Sequence, residues 1–174
     1  MPDVWDAIVL EASDESSLWA DCVVPGAQRE PRAVFSPLGE ERFALGLETI
    51  YEGYLLHFGR PRLFGPGDAD TALLLGDYLY AHGLVRIAAL GEVAAVADLA
   101  ELISLCAQVQ AEEREGDGPL WAATASLLGG GVLDEARVTL RMRGNSSALE
   151  ALACEAAGAD AVDRALAAHA SRLR

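Results

Sequence analysis

From Leu73 to Ala81 the chain reads Leu73-Leu74-Leu75-Gly76-Asp77-Tyr78-Leu79-Tyr80-Ala81, and a second apolar stretch follows from Leu84 to Leu90. A surface helix keeps a polar face, and this segment has almost none. A membrane span avoids ionisable side chains, and this segment holds Asp77, His82 and Arg86. Such a helix belongs at the centre of a large helical bundle or against a second subunit. That requirement narrows the fold more than any other stretch does.

The rest of the chain must supply the bundle. Its 174 residues make one ordinary domain, which buries about two-thirds of its unfolded surface. With 52% apolar residues it can build a core without long disordered segments. All thirteen basic residues are arginine, and the formal charge is −14. That charge argues against nucleic acid, whose binding depends on basic side chains at phosphates. It argues equally against an anionic membrane surface. Cys22, Cys106 and Cys154 are odd in number and far apart, so neither a disulfide framework nor a zinc site is indicated. The start, Met1-Pro2-Asp3-Val4, lacks the basic and apolar regions of a signal peptide. No run reads as both long and uncharged enough to span a bilayer, so the protein is expected to have no transmembrane segment and to be cytoplasmic.

Residues 1–37 read as an N-terminal arm, with short amphipathic pieces and a Pro-rich linker from Pro25 to Pro37. Residues 38–174 read as the helical bundle. Phe43, Leu47, Ile50/Tyr51 and Tyr54 recur at helical intervals, and Gly59-Arg60-Pro61 ends that helix near His57. Asp68 or Asp70 suits the N-cap of the apolar helix, and Gly91 stops it. A second, amphipathic helix over about 92–115 buries Val96, Leu99, Leu102/Ile103, Cys106 and Val109. The short turn makes the two an antiparallel hairpin. Further helices are expected from Leu120 to Leu128 and over 132–143, where Val138, Leu140 and Met142 also alternate like a strand. Ser147-x-x-Glu150 forms a capping box for the penultimate helix. The last helix follows Gly158 and places Arg172 and Arg174 at its negative end. The predicted class is all-α, a helical bundle with no significant sheet.

The Gly76-Asp77-Tyr78-Leu79 helix resembles that of the trans-polyprenyl diphosphate synthases. Gly59-Arg60-Pro61 is similar to the family's Gly-x-Pro piece, seventeen residues before Gly76. Gly91 and the amphipathic helix behind it also match, so residues about 40–115 are covered. Ala123-Thr124-Ala125-Ser126-Leu127 is similar to the family's Lys-Thr-Ala-x-Leu. The resemblance implies a partial isoprenoid-synthase fold. It places the first metal-binding motif at Glu48-Thr49-Ile50-Tyr51-Glu52, where two carboxylates at i and i+4 remain but the adjacent acid is gone. Glu48 and Glu52 alone offer at most a weak, vestigial Mg²⁺ site, since Mg²⁺ asks for octahedral oxygen ligation. His57 and Phe58 replace the arginine pair that grips a diphosphate, and Arg60 and Arg62 are the nearby substitutes. Ala123 replaces a lysine, and Asp163-Arg164 puts a cation where a second metal motif belongs. No catalytic residues are assigned. No cofactor is expected, apart from Mg²⁺ held weakly or through a catalytic partner.

His57, His82 and His169 show no metal spacing, and Gly129-Gly130-Gly131 lacks the Lys-Ser/Thr ending of a phosphate loop. What is best preserved is the 70–113 hairpin, which the resemblance assigns to the subunit interface. The expected interface residues are Leu74, Asp77, Tyr78, Ala81, Leu84, Val85, Leu99, Leu102, Cys106 and Val109. The leading expectation is a non-catalytic small subunit, or pseudoenzyme, that pairs with a full-length synthase and shapes its prenyl-chain cavity. One alternative is a homodimeric helical module holding a lipid or isoprenoid near Ala81, Gly83, Ala88 and Ala89. The other is a residual prenyltransferase using Glu48, Glu52, Arg60 and Arg62.

Overall fold

The computed structural model describes residues 3–173, so Met1, Pro2 and the expected helix-end role of Arg174 lie outside it. The described residues form nine α-helices: α1 (Val4–Glu15), α2 (Ser17–Asp21), α3 (Ala44–Phe58), α4 (Ala69–Ala88), α5 (Val93–Ala111), α6 (Asp117–Ser126), α7 (Asp134–Arg143), α8 (Ser147–Ala157) and α9 (Ala159–Arg172). Short 3₁₀ turns lie between α2 and α3, and an isolated bridge joins Val23 to Phe64. The class is all-α. The ambiguous 132–143 stretch is helical and ends on Gly144, which takes the left-handed conformation (φ 66°) that closes a helix without a Cβ penalty.

The apolar α4 is not the central helix. That place belongs to α3, where every residue from Gly46 to Leu56 is buried. One side of α3 faces the main core with α5, α6, α8 and α9, around Trp121, Leu99, Leu102, Leu149 and Val162. The other side meets α4 and the arm in a second cluster of Ile8, Val9, Ala12, Leu56, Leu63, Leu75 and Leu79. The arm is therefore part of the packed structure. Its backbone also bonds to the segment after α3, with Val24 N donating to Leu63 O at 3.0 Å and Gly65 N to Cys22 O at 2.7 Å.

Because α3 takes the middle, α4 buries a single stripe. Leu75, Gly76, Leu79, Gly83 and Ile87 follow helical spacing and face inward. Asp68 caps its start, accepting from the Thr71 N–H and hydroxyl, both at 2.8 Å. Gly91 turns the chain at φ 79°, as expected from the sequence. The Ser147/Glu150 capping box does not form. Asn145 Oδ1 accepts from Ser147 N at 2.9 Å instead, and Ser146 occupies the N-cap position.

Two pairs of glycines set how closely α3 and α4 approach. Gly46 and Gly53 stand seven residues apart on α3, and Gly76 and Gly83 seven apart on α4. In the antiparallel pair Gly53 meets Gly76 while Gly46 meets Gly83. A Cβ on Gly53 would lie 2.8 Å from Gly76 O, and one on Gly83 would lie 3.0 Å from Gly46 O and 2.4 Å from Ile50 Cγ1. Alanine in a helix interior normally gains about 0.5–1 kcal/mol over glycine. Here overpacking at about 1–3 kcal/mol reverses the sign. Gly53→Ala is expected to lower stability by about 1 kcal/mol or more in urea denaturation, while Gly67→Ala, which meets nothing within 4 Å, stays within about 0.5 kcal/mol. A neutral Gly53→Ala would show that the backbones do not touch there.

Candidate functional site

Glu48 and Glu52 sit one turn apart on α3, on one face as their spacing requires. That face does not meet solvent. Pro61 cannot continue the helix, so the chain turns back after Gly59 and drives the Arg62 side chain, 1% exposed, between the two acids. Arg62 Nη1 donates to Glu48 Oε2 at 2.5 Å, and Nε donates to Glu52 Oε2 at 2.9 Å. Glu52 Oε1 accepts from the backbone N–H of both Arg62 and Leu63 at 2.8 Å. Two further guanidinium N–H groups reach Arg32 O and Glu48 O, and the Trp5 and Tyr51 rings flank the group. Burial opposes the Arg62 charge, but the two carboxylates outweigh it and raise its pKa above the usual arginine value.

The expectation of a weak, vestigial metal site is corrected accordingly. The acids are ligated by an arginine, and Arg62, 1% exposed with four of its five guanidinium N–H groups bonded, is out of reach of a diphosphate. Arg60, two residues before Arg62, points elsewhere: its N–H bonds Arg172 O at 2.9 Å and its Nη2 bonds Ser171 O at 3.1 Å. Among the described residues no cluster of three or more His, Cys, Asp or Glu side chains is arranged to hold a metal ion.

A second buried polar group lies in the main core. Asp117 Oδ2 receives the Tyr54 hydroxyl, Gln110 Nε2 at 3.1 Å and His169 Nε2 at 3.3 Å. His169 Nδ1 stands 2.9 Å from the Tyr51 hydroxyl. A neutral imidazole protonated on Nε2 satisfies both contacts, with Tyr51 donating to Nδ1; this tautomer is assigned from the network. The rings of Phe35, Tyr51, Tyr54 and Trp121 enclose His169 and one another. Tyr51 and Tyr54 are held protonated, chiefly by burial. The array is sealed by rings on every side, so it ties α3, α6 and α9 together rather than presenting a nucleophile.

Burial alone would raise the Asp117 pKa, but the hydrogen bonds from His169 and Tyr54 prevail and hold it below its ordinary value of 3.8. A depressed carboxyl contributes stability that is complete above the unfolded value and fades as pH falls through the folded one. Asp117→Asn is therefore expected to cost about 1–3 kcal/mol at pH 7 and to flatten the pH dependence of stability below pH 3.8. Circular dichroism across an acid titration reads this, and an unchanged acid slope in the variant would remove Asp117 from the account.

The ten expected interface residues divide by helix. On α4, Leu74, Asp77, Ala81 and Val85 are exposed and align on one face, while Tyr78 and Leu84 are half-buried at its edges. Leu74 is 55% and Val85 62% exposed. On α5, Leu99, Leu102, Cys106 and Val109 are corrected to core positions against α3 and α6. The free side of α5 carries Val93, Ala97, Ala100, Ser104 and Ala107 instead. Asp77 lies midway along α4 and has no hydrogen bond to Arg86, which pairs with Glu11. It faces out, 3.1 Å from His57 Nε2, without a well-aligned hydrogen bond. Burial lowers the His57 pKa, partly opposed by Asp77. The imidazole lies where Gly76 has no side chain, since a Cβ there would be 2.6 Å from His57 Nε2.

Arg86 and His82 both meet Glu11 of α1, at 2.8 and 2.7 Å. These side chains explain how an apolar helix tolerates its charges: they fasten the arm. Ala81, Ala88 and Ala89 are at the surface, and Gly83 packs on α3, so these four residues do not line an enclosed cavity. By length and composition α5 is apolar enough to cross a membrane, with a mean hydropathy of 1.4, which corrects the expectation that no run reaches that level. Apart from Val93, its large apolar side chains lie in or against the bundle core.

Sequence reasoning did not find the Asp117 network or the Asp98–Arg137 lock, in which Arg137 Nη1 bonds Asp98 Oδ1 at 2.7 Å and Asp98 Oδ2 accepts from Gly129 N. Their members lie 31 or more residues apart, apart from the Gln110–Asp117 contact, and have no local signature. Comparison with protein families, with curated proteins and with solved structures gave no match.

Proposed function

We propose that this protein is a non-catalytic helical subunit of the polyprenyl diphosphate synthase type. It docks on a full-length catalytic subunit through the outer face of the α4–α5 hairpin and shapes that subunit's prenyl-chain cavity. The observation that carries this reading is the row Leu74, Ala81 and Val85, continued by Leu73, Leu90 and Val93, which leaves large apolar side chains 45–80% exposed along one hairpin. Scattered exposed leucines are ordinary, whereas a set aligned on the outer face of α4 and continued over the turn to Val93 marks an interaction surface. The resemblance of residues about 40–115 gives the partner its class. The Arg62-filled carboxylate pair supports the non-catalytic part, because a metal-dependent ionisation needs those oxygens free.

The test is co-expression with a full-length polyprenyl diphosphate synthase from the same genome. Co-elution on gel filtration, with a change in product chain length relative to the synthase alone, is the expected result. Separate elution with unchanged products overturns the reading. If the purified chain instead forms a stable dimer by itself, the same face serves a second copy. Elongation of labelled isopentenyl diphosphate by the chain alone would establish the residual enzyme in its place.

A further inference from the structure

We propose that a small phosphate-type oxyanion binds in the cleft between the end of α9 and the arm, gripped by Arg32 and Arg60 beside the buried charge of Arg172. The cleft has a volume of about 360 Å³ and is walled by Glu30, Pro31, Arg32 and Val34 on one side and Arg60, Ala168, Ser171 and Arg172 on the other. That volume lies within the range of small-molecule sites.

The charge distribution singles out this place. The chain has 27 acidic residues against 13 arginines. Eight of the twelve arginines among the described residues find a carboxylate. Among the described residues only Arg32, Arg60, Arg143 and Arg164 have none within 4.0 Å. Arg32 and Arg60 both line this cleft, and Arg164 lines an adjoining one together with Arg32. Three of these four arginines thus line this cleft or the one beside it.

Arg172 supplies the fixed element. It is only 7% exposed, its Nη2 is 2.5 Å from Glu30 Oε2, and its Nη1 is buried with no hydrogen-bond partner. Nη1 is closed to solvent, so Arg172 lends the cleft its charge while the charge-assisted bonds to an oxyanion come from the exposed Arg32 and Arg60 side chains. The exposed carbonyls at the end of α9, which would repel an anion, are already occupied by Arg60 N and Nη2. Three guanidinium groups against the single Glu30 carboxylate leave a net charge of +2, matching a dianion better than a carboxylate. The forked donors suit phosphate oxygens.

The experiment is isothermal titration of the full chain with inorganic phosphate at low ionic strength, with methyl phosphate as a second arm. Saturable binding with half-saturation below about 1 mM is expected. The Arg32→Gln/Arg60→Gln double variant, which changes only exposed side chains, should weaken it by about tenfold or more, and Arg143→Gln should leave it unchanged. Equal binding of methyl phosphate assigns the site to the phosphate group of an ester, and binding of inorganic phosphate alone assigns it to the free ion. Absence of saturable heat, an unaffected double variant, or an equal loss in Arg143→Gln overturns the proposal.

Discussion

Arg62→Ala is expected to destabilise the protein by about 3–5 kcal/mol, the range for removing one partner of a buried ion pair. Against a total stability of about 5–15 kcal/mol, that loss leaves the variant partly unfolded at 37 °C or unable to accumulate. The two acids do not suffer equally. Glu52 keeps two backbone N–H donors, from Arg62 and Leu63, whereas Glu48 Oε2 has only the guanidinium. The backbone donors survive truncation of the side chain, so the stranded charge is mainly that of Glu48. Single amide substitutions separate the contributions. Glu48→Gln can still present an oxygen to Nη1 and removes the excess negative charge of the trio, so its effect is small. Glu52→Gln must keep its oxygen toward the backbone and turn an NH₂ toward Arg62 Nε, so donor faces donor. The expected order of loss in urea denaturation is Arg62→Ala, then Glu52→Gln, then Glu48→Gln. Replacing all three, as Glu48→Gln/Glu52→Gln/Arg62→Met, should recover part of the Arg62→Ala loss, because no uncompensated charge remains. A loss under about 1 kcal/mol for Arg62→Ala would mean that water reaches the trio.

The same trio shows where reading the sequence succeeds and where it stops. The i, i+4 spacing places Glu48 and Glu52 on one face, and the Gly59-Arg60-Pro61 break ends their helix. Nothing in the spacing says that Arg62, on the far side of the break, folds back between them. A carboxylate pair reads as a ligand set until its counter-ion is located in space. The helices themselves were legible, because their apolar periods, the Asp68 cap and the Gly91, Gly144 and Gly158 stops are local. Their order of burial was not. Composition favours α4 as the central helix, yet α3 holds Glu48, Glu52, Tyr51 and Tyr54 in the interior by pairing each polar group. Pairing depends on residues distant in sequence: His169 is 118 positions from Tyr51. The glycine pairs were half visible. Gly76 stands out as part of a motif, but its fit against His57 and Gly53 emerges only when α3 and α4 are laid side by side.

Burial within the chain also decides which hairpin variants can report on docking. Leu99→Ala or Leu102→Ala would remove core side chains and cost about 2–5 kcal/mol of stability, so a lost complex would say nothing about the interface. Leu74→Glu/Val85→Glu changes two exposed side chains on the outer face of α4. Each substitution is expected to shift stability by no more than about 0.5 kcal/mol. If that face is the docking surface, burying two carboxylates in its apolar centre should weaken the complex about 100-fold or more, equivalent to roughly 2.7 kcal/mol. Asp77 lies between them on the same face, and charged residues are scarce in interface centres. Its cost there is moderated by His57, 3.1 Å away and nearly buried, which supplies a counter-charge when protonated. Since burial depresses the His57 pKa, that counter-charge strengthens as pH falls, and so should the complex. Gel filtration of the mixed subunits across pH 5.5–8 (a range spanning the ordinary His pKa of about 6.5) reads both effects. Undiminished co-elution of Leu74→Glu/Val85→Glu would move the contact off α4 altogether. Retained docking without any pH response would leave Asp77 outside the contact.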